Sequence, residues 1–239
     1  MKLADFTIIR LKQTTSTNDE ALKLSQGKSG QKIVVQTCIQ TAGRGRLGRS
    51  WQSMDGNLFF SVLLEYELKN LGSLIMAAGL SLLNTIIQYS STAKVQLKWP
   101  NDVLLNNAKV SGMLLEKGEG KYIVIGIGVN IVQSPKTPDM LYPAISLQEL
   151  GIHTTADDFL QKFLPLLAAN IKRKATDLQQ EWLQHAKGIG EMITVYQNNT
   201  QQQGIFSGID ENADLLLQTS KGEQKILAGD VFYDGDKNG

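Results

Sequence analysis

The chain has 239 residues, 42% of them hydrophobic and 20% charged, with a formal net charge of +1. That is apolar material enough for one substantial core plus a small accessory domain, and it excludes a largely disordered chain. The basic excess of a dedicated nucleic-acid binder is missing, so no nucleic-acid partner is expected.

The start of the chain, Met1 to Phe6, lacks the apolar stretch of a signal peptide, and no apolar run is read as approaching the roughly 20 residues of a membrane span. Cys38 is the only cysteine, which rules out an intramolecular disulfide and points to a reducing, cytoplasmic setting without a membrane partner. Phe6–Leu11 alternates as a strand does. A polar run follows in which Thr17 and Glu20 have the spacing of a capping box, predicting a helix that starts there. Strands are predicted over Ile33–Ile39, Leu58–Leu64 and Lys94–Trp99. Leu74, Ala78, Leu82 and Ile86 recur at helical spacing within a helix from Gly72 to Tyr89. Val103–Leu105 and Lys109–Glu116 flank Asn106-Asn107-Ala108 as the arms of a hairpin, and Lys121–Val129 is a further apolar strand.

From Thr155, an N-cap candidate, to His185 the pattern is helical, with Pro165 marking either a kink or a boundary between two helices. His153 and His185 are the only histidines and have no ligand-type spacing, so histidine-based metal chemistry is not expected. His185 is read as compensating the dipole at a helix end. Beyond Lys187-Gly188-Ile189-Gly190 come short β-type segments, Met192–Tyr196, Gln203–Ile209, Ala213–Thr219 and Lys225–Leu227. They describe a compact barrel and place a domain boundary that divides residues 1–187 from 188–239.

The most specific feature is Gly43-Arg44-Gly45-Arg46-Leu47-Gly48-Arg49, three glycines alternating with cations. Glycine lets backbone come close to a ligand, and each guanidinium offers a planar fork of donors for carboxylate or phosphate. The glycines match the dinucleotide fingerprint, but the residues after them, Trp51 to Asn57, are turn-rich and lead into a strand. A dinucleotide loop must open a helix, and a P-loop must end in Gly-Lys-Ser/Thr, so neither reading holds. A small anionic ligand remains, with a solvated basic turn as the plain alternative.

Four segments belong together: Ser16-Thr17-Asn18; Gln40 through the arginine loop to Trp51; Lys98-Trp99-Pro100-Asn101-Asp102; and Lys109-Val110-Ser111-Gly112-Met113-Leu114-Leu115-Glu116. With Gly126-Ile127-Gly128-Val129-Asn130 and the terminal barrel, this ordered set resembles the biotin protein ligases of the BirA type, over essentially the whole chain. The resemblance implies an α/β (α+β) fold, a mixed sheet flanked by helices with a small SH3-like barrel after it. It also implies an enzyme that makes biotinyl-5′-AMP from biotin and ATP with Mg²⁺, then passes biotin to a lysine of a biotin carboxyl carrier protein or domain. A homodimer is left open.

By the same resemblance, Arg44, Arg46 and Lys109 act on the reacting groups. Biotin is met by Ser16, Thr17, Asn18, Gln40, Gly43, Arg44, Gly45, Arg46, Lys109, Gly112 and Gly126, and the nucleotide by Arg46, Arg49, Trp51, Asn101, Asp102, Lys109 and Asn130. The chemistry suits these residue types. Ser16, Thr17 and Gln40 both give and accept hydrogen bonds, as a neutral ureido ring requires, while Trp51 offers a face for adenine. Asn101 and Asp102 bring oxygen atoms of the kind Mg²⁺ prefers, although as a pair after Pro100 they also read as a simple turn; the metal ligands stay unassigned. Thr17 has an equal claim as a helix N-cap, and an isolated Lys109 would be read as a solvated strand residue. Leu47 stands where many relatives carry arginine, and the chain starts too close to the catalytic segments for a repressor-type DNA-binding domain. The rival readings are a lipoate or octanoate ligase of the same architecture, and a nucleic-acid-binding module using the arginine loop.

Overall fold

The computed structural model describes residues 2–26, 30–136, 142–197 and 200–233. The larger part is built on eight strands: β1 (Lys2–Leu3), β2 (Phe6–Thr14), β3 (Lys32–Gln40), β4 (Leu58–Glu65), β5 (Val95–Lys98), β6 (Asp102–Leu105), β7 (Ala108–Lys117) and β8 (Tyr122–Val129). They form one sheet in the order β1-β2-β3-β4-β8-β7-β6-β5. β2 and β3 are parallel, joined through helix α1 (Thr17–Ser25), and the other pairs are antiparallel, so the sheet is mixed as expected.

Both faces of the central strands are covered, which is why Leu58–Leu64 and Tyr122–Val129 read as nearly continuous apolar runs. Alternate residues point to opposite sides. Val34, Val62, Leu64, Ile123 and Ile125 join the main core with helices α2 (Leu71–Ile87), α3 (Ala156–Asn170) and α4 (Ala175–Gln184). Ile33, Val35, Leu63 and Val124 pack under α1 around Ala21. The stretch Leu68–Ile87 is long and apolar enough to cross a membrane by length and composition, contrary to the sequence reading. It contains the central core helix, and 72% of the apolar window is buried inside the protein.

Two other local expectations change. Thr17 and Glu20 do not form a capping box: the N-cap is Ser16, and the Thr17 N–H donates to Gln40 Oε1 at 2.8 Å. A side chain from the neighbouring strand supplies the acceptor that local sequence would otherwise provide. Pro165 neither ends nor divides a helix. It lies inside α3 on the exposed face, where the carbonyl its ring leaves without a donor can meet water, and the break comes later, between Asn170 and Ala175. Thr155 caps α3 by accepting from the Asp158 N–H, and Asn106 and Asn107 both take positive φ at the hairpin between β6 and β7, as anticipated.

The smaller part is a five-stranded antiparallel sheet of β9 (Met192–Gln197), β10 (Thr200–Ile209), β11 (Leu215–Thr219), β12 (Gly222–Ile226) and β13 (Asp230–Tyr233), in the order β12-β11-β10-β9-β13. β13 escaped the sequence reading because its four residues follow a short glycine turn. The two parts are tightly joined. Trp99 Nε1 donates to the Ala213 carbonyl at 2.8 Å, and the α2 start lies against the backbone of Asn212. The outer edge of β5 is closed by the segment after α4, through Leu97 N–H to His185 O at 2.8 Å and Lys187 N–H to Leu97 O at 2.9 Å.

A second segment fixes the far side of β7. Ser146 and Glu149 form a reciprocal box, in which the Ser146 N–H donates to Glu149 Oε2 at 2.7 Å and the Glu149 N–H donates to Ser146 Oγ at 3.3 Å. Just before it, Lys109 N–H bonds Pro143 O at 2.8 Å and Ile145 N–H bonds Lys109 O at 3.0 Å. Ser146 and Glu149 have the three-residue spacing of such a box in the sequence.

Two predictions follow from these joints. A helix-interior Gly→Ala change ordinarily stabilises by ~1 kcal/mol, but a Cβ on Gly72 would overlap the Asn212 backbone. Gly72→Ala should therefore destabilise by about 1–3 kcal/mol in urea unfolding, the usual cost of overpacking; a gain in stability would contradict the described contact. Burial alone would raise the Glu149 carboxyl, yet bonds from Lys136, Ser134 and Ser146 hold it at about 2, below its ordinary 4.5. Its contribution is thus complete above the unfolded value of 4.5 and lost as pH falls toward 2. It is screened, since the side chain is 36% exposed. Glu149→Gln should flatten the fall of Tm across that acid window, and an unchanged pH profile would count against the box.

Candidate active site

One cavity of about 720 Å³ opens on the face of the sheet between β7, β8, the arginine loop and the smaller part. That volume suits a small molecule of cofactor size. Gly112 and Gly128 are register partners on β7 and β8, and together with Gly126 they form a floor without side chains. The floor is occupied from above. A Cβ on Gly128 would overlap the Trp51 indole, and one on Gly126 would overlap the Asn18 amide.

At one end the polar groups are neutral and buried. Gln40 Oε1 accepts from the Thr17 N–H and hydroxyl at 2.8 and 3.0 Å, and Ser61 Oγ lies against both Thr17 Oγ1, at 2.7 Å, and Asn18 Oδ1. A hydroxyl carries one proton, so Ser61 can satisfy only one of these oxygens and the other is left able to accept from a ligand N–H. Ser16 is 3% exposed, and its hydroxyl makes no cap bond to α1. Gly43, unlike the other residues assigned to biotin, stands behind the cavity wall. Its carbonyl accepts from the Trp51 N–H at 2.9 Å, and a Cβ there would meet Trp51 O at 2.6 Å, so it closes the stem of the loop.

Next to it the cavity becomes cationic, beginning with Arg44, which shares Glu116 with the Asn18 amide, and most of its cations already hold carboxylates. Arg44 forks onto Asp19 at 2.9 and 2.7 Å and reaches Glu116 at 3.2 Å. The hydrogen bond to Asp19 raises the guanidinium and in turn lowers the Asp19 carboxyl. Arg49 pairs with Asp230 on β13, and Lys109 Nζ lies 2.7 Å from Asp102 Oδ1. The Lys109 contact is close but not aligned as a hydrogen bond, which leaves that buried Asp102 oxygen without one. Arg46 differs. Its bonds to Asn101 Oδ1 and Gly229 O are long, 3.4 and 3.3 Å, and burial pushes its guanidinium down.

Lys109 extends from β7 beside Gly112 and lies 5.3 Å from the centroid of the Trp51 ring. The Trp51 Nε1 is buried without a hydrogen-bond partner. Asn130, 3% exposed, aims its amide at the Lys109 and Ile145 carbonyls, at 3.4 and 3.3 Å, and so steadies the lysine's strand. Arg44, Gly45, Arg46, Arg49, Trp51, Asn101, Asp102, Lys109, Gly112, Gly126, Asn130, Ser16, Thr17, Asn18 and Gln40 all line this single cavity. No cluster of three His, Cys, Asp or Glu side chains exists among the described residues. Asp102 and Asn101 therefore offer oxygen ligands to a hard cation only in company with other donors, such as phosphates and water.

Several lining residues were missed. Lys98 is 4% exposed, donates to Val231 O at 3.0 Å and sits 3.5 Å from the Tyr142 ring centroid. Its place in the Lys98-to-Asp102 segment was the available signal. Asp230 and Val231 come from the smaller part, where no local pattern marks them. Ser61, mid-strand on β4, does not line the cavity but supports Thr17 and Asn18 from behind.

Residues 7–130 match the model of the Biotin/lipoate A/B protein ligase family, and residues 188–233 match the biotin protein ligase C terminal domain. The chain is 36% identical to a biotin–[acetyl-CoA-carboxylase] ligase of Paracoccus denitrificans, over 94% of this chain and 100% of that one. It is 30% identical to the bifunctional ligase/repressor BirA of Bacillus subtilis, over 91% of this chain and 71% of the relative. Among solved structures, a biotin protein ligase from Aquifex aeolicus in complex with biotin and ATP aligns with a TM-score of 0.82 and 29% identity, covering 95% and 97% of the two chains. With its cavity half neutral and half cationic, its mixed sheet and its small C-terminal sheet, the chain belongs to the biotin/lipoate A/B protein ligase family, as a biotin protein ligase.

Proposed function

We propose that the cavity joins biotin to ATP and then delivers biotin to a lysine of a biotin carboxyl carrier domain, with the ureido ring at the neutral end and the phosphates at the cationic end. What supports this reading is a lysine, Lys109, that lines the cavity beside Gly112 and Trp51 on a strand braced from both sides. In the first step a biotin carboxylate oxygen attacks the α-phosphorus of ATP. The bond to the β,γ-phosphates breaks, and pyrophosphate leaves with the electron pair. In the second step an unprotonated lysine amine attacks the acyl carbon, AMP departs with the electron pair of the broken C–O bond, and the nitrogen loses a proton.

The obstacle in the first step is repulsion between two anions, about 4 kcal/mol per unit pair at 4 Å and an effective dielectric near 20. Lys109 and Arg46 are the residues assigned to offset it, and Arg44 joins them by exchanging Asp19 and Glu116 for substrate. Fixed cations aimed at developing charge stabilise the transition state without reorganising solvent. Asn101 and Asp102 would be the residues to hold Mg²⁺ carried in by the nucleotide, and the ion would supply further neutralisation of phosphate charge. Trp51 is assigned to the adenine, and Arg49 to the nucleotide once it leaves Asp230. A lipoate ligase would place apolar surface where Ser61, Thr17, Asn18 and Gln40 form a polar network here. The reaction is assigned to the cytoplasm, in keeping with the lone exposed Cys38.

Incubation with biotin, Mg·ATP and a carrier domain should add one biotinyl mass to one lysine, read by intact mass and peptide mapping. Lipoate should be discriminated against by roughly 10⁴-fold, because it leaves buried polar groups without partners. Lipoyl transfer at a comparable rate would overturn the assignment of the neutral end. Lys109→Met should keep the circular dichroism of the parent while biotin-dependent ATP–pyrophosphate exchange falls by about 10²–10³; exchange within a few-fold of the parent would remove Lys109 from the proposed role.

A further inference from the structure

We propose that Glu116 is a positioning residue that sets what the neutral end of the cavity recognises, by deciding which way the Asn18 amide points. This rests on the reading above, in which a ureido ring occupies that end. Glu116 does not itself line the cavity, but its carboxylate touches two side chains that do, Asn18 and Arg44.

An amide can turn either its oxygen or its N–H₂ group to a neighbour, and its partners fix the choice. Asn18, the second residue of α1, is 4% exposed, and its amide is pressed against Gly126, where a Cβ would overlap it. Ser61 Oγ is a hydroxyl, able to give or take a hydrogen, and so suits both orientations. The Glu116 carboxylate can only accept. Asn18 Nδ2 donates to Glu116 Oε2 at 2.5 Å, which turns Oδ1 toward Ser61.

This orientation creates the vacancy that a ligand N–H fills. The Thr17 hydroxyl donates to Gln40 Oε1 at 3.0 Å, so Thr17 Oγ1 and Asn18 Oδ1 both wait on the single proton of Ser61. One acceptor is left over. With the amide reversed, Asn18 would give a hydrogen to Ser61, Ser61 would give its own to Thr17, and the surplus acceptor would vanish.

The carboxylate is itself held in place. Arg44 Nη2 reaches Glu116 Oε1 and Oε2 at 3.3 and 3.2 Å while the guanidinium forks onto Asp19, and Glu116 stands on β7 opposite Val124 of β8. Asn18 Nδ2 and Arg44 Nη2 converge on one oxygen, Oε2. A neutral amide at position 116, with its oxygen in that place, would therefore orient Asn18 as the carboxylate does. A side chain without an acceptor would not.

Glu116→Met and Glu116→Gln separate orientation from charge. In biotin-dependent ATP–pyrophosphate exchange, Glu116→Met is expected to raise KM for biotin by about tenfold or more, with KM for ATP and kcat within a few-fold of the parent, and Glu116→Gln to restore KM for biotin. An unchanged KM for biotin in Glu116→Met overturns the proposal. So does a Glu116→Gln variant as impaired as Glu116→Met, which would assign the effect to charge beside Arg44, and so does a fall in kcat at constant KM, which would move Glu116 to the chemistry. Should Glu116→Met lack the circular dichroism of the parent, Asn18→Asp carries the test: it sets two carboxylates face to face and raises KM for biotin, and adding Glu116→Gln, whose N–H₂ then donates, lowers it again. No recovery in that double variant overturns the proposal. Absence of exchange in the parent protein would instead bring down the proposed function itself.

Discussion

Crowding cations around one small cavity is the constraint on which the rest of this structure depends. Arg44, Arg46, Arg49, Lys98 and Lys109 all line it, and their mutual repulsion would oppose folding if each stood alone. The chain answers by bringing carboxylates from other elements: Asp19 from α1 and Glu116 from β7 to Arg44, Asp102 from β6 to Lys109, Asp230 from β13 to Arg49. Each pair also locates a segment. The arginine loop is tied at its base to α1 and at its end to the smaller part, so the charges that wait for substrate are the same bonds that hold the cavity in shape.

An anionic substrate entering such a site competes with internal anions for the same donors. Arg46 is the exception, held by long bonds to an amide and a carbonyl while burial disfavours its charge. It stands to gain most from a phosphate or carboxylate, because a desolvated guanidinium without a carboxylate bond is the costliest arrangement of the group. The neutral end works differently. There a chain of buried hydroxyls and amides, satisfied save for one acceptor, fixes a shape that distinguishes a hydrogen-bonding head from an apolar one.

Much of this was legible in the sequence. Apolar runs gave the central strands, Asn106-Asn107 the hairpin, and Thr155 the start of α3. The ordered segments brought together residues that do share one cavity. What escaped was set by contacts distant in sequence. The Thr17 cap failed because Gln40, on a neighbouring strand, supplied the acceptor, and Pro165 passed through a helix because its face meets water. Ser61 reads as one more residue of an apolar strand, and Asp230 belongs to a different part of the fold, so neither carries a local mark of its position at the site.

The indole of Trp51 has an optical consequence. The protein has three tryptophans; Trp182 is 5% exposed within the core and away from the cavity, and Trp99, 2% exposed, reaches only its wall. Trp51 alone rests on the glycine floor, with its ring nitrogen unbonded and an ammonium 5.3 Å from its ring centre. Its emission colour and quenching are therefore governed by what enters the cavity, and the native chain carries a reporter of occupancy with no label attached.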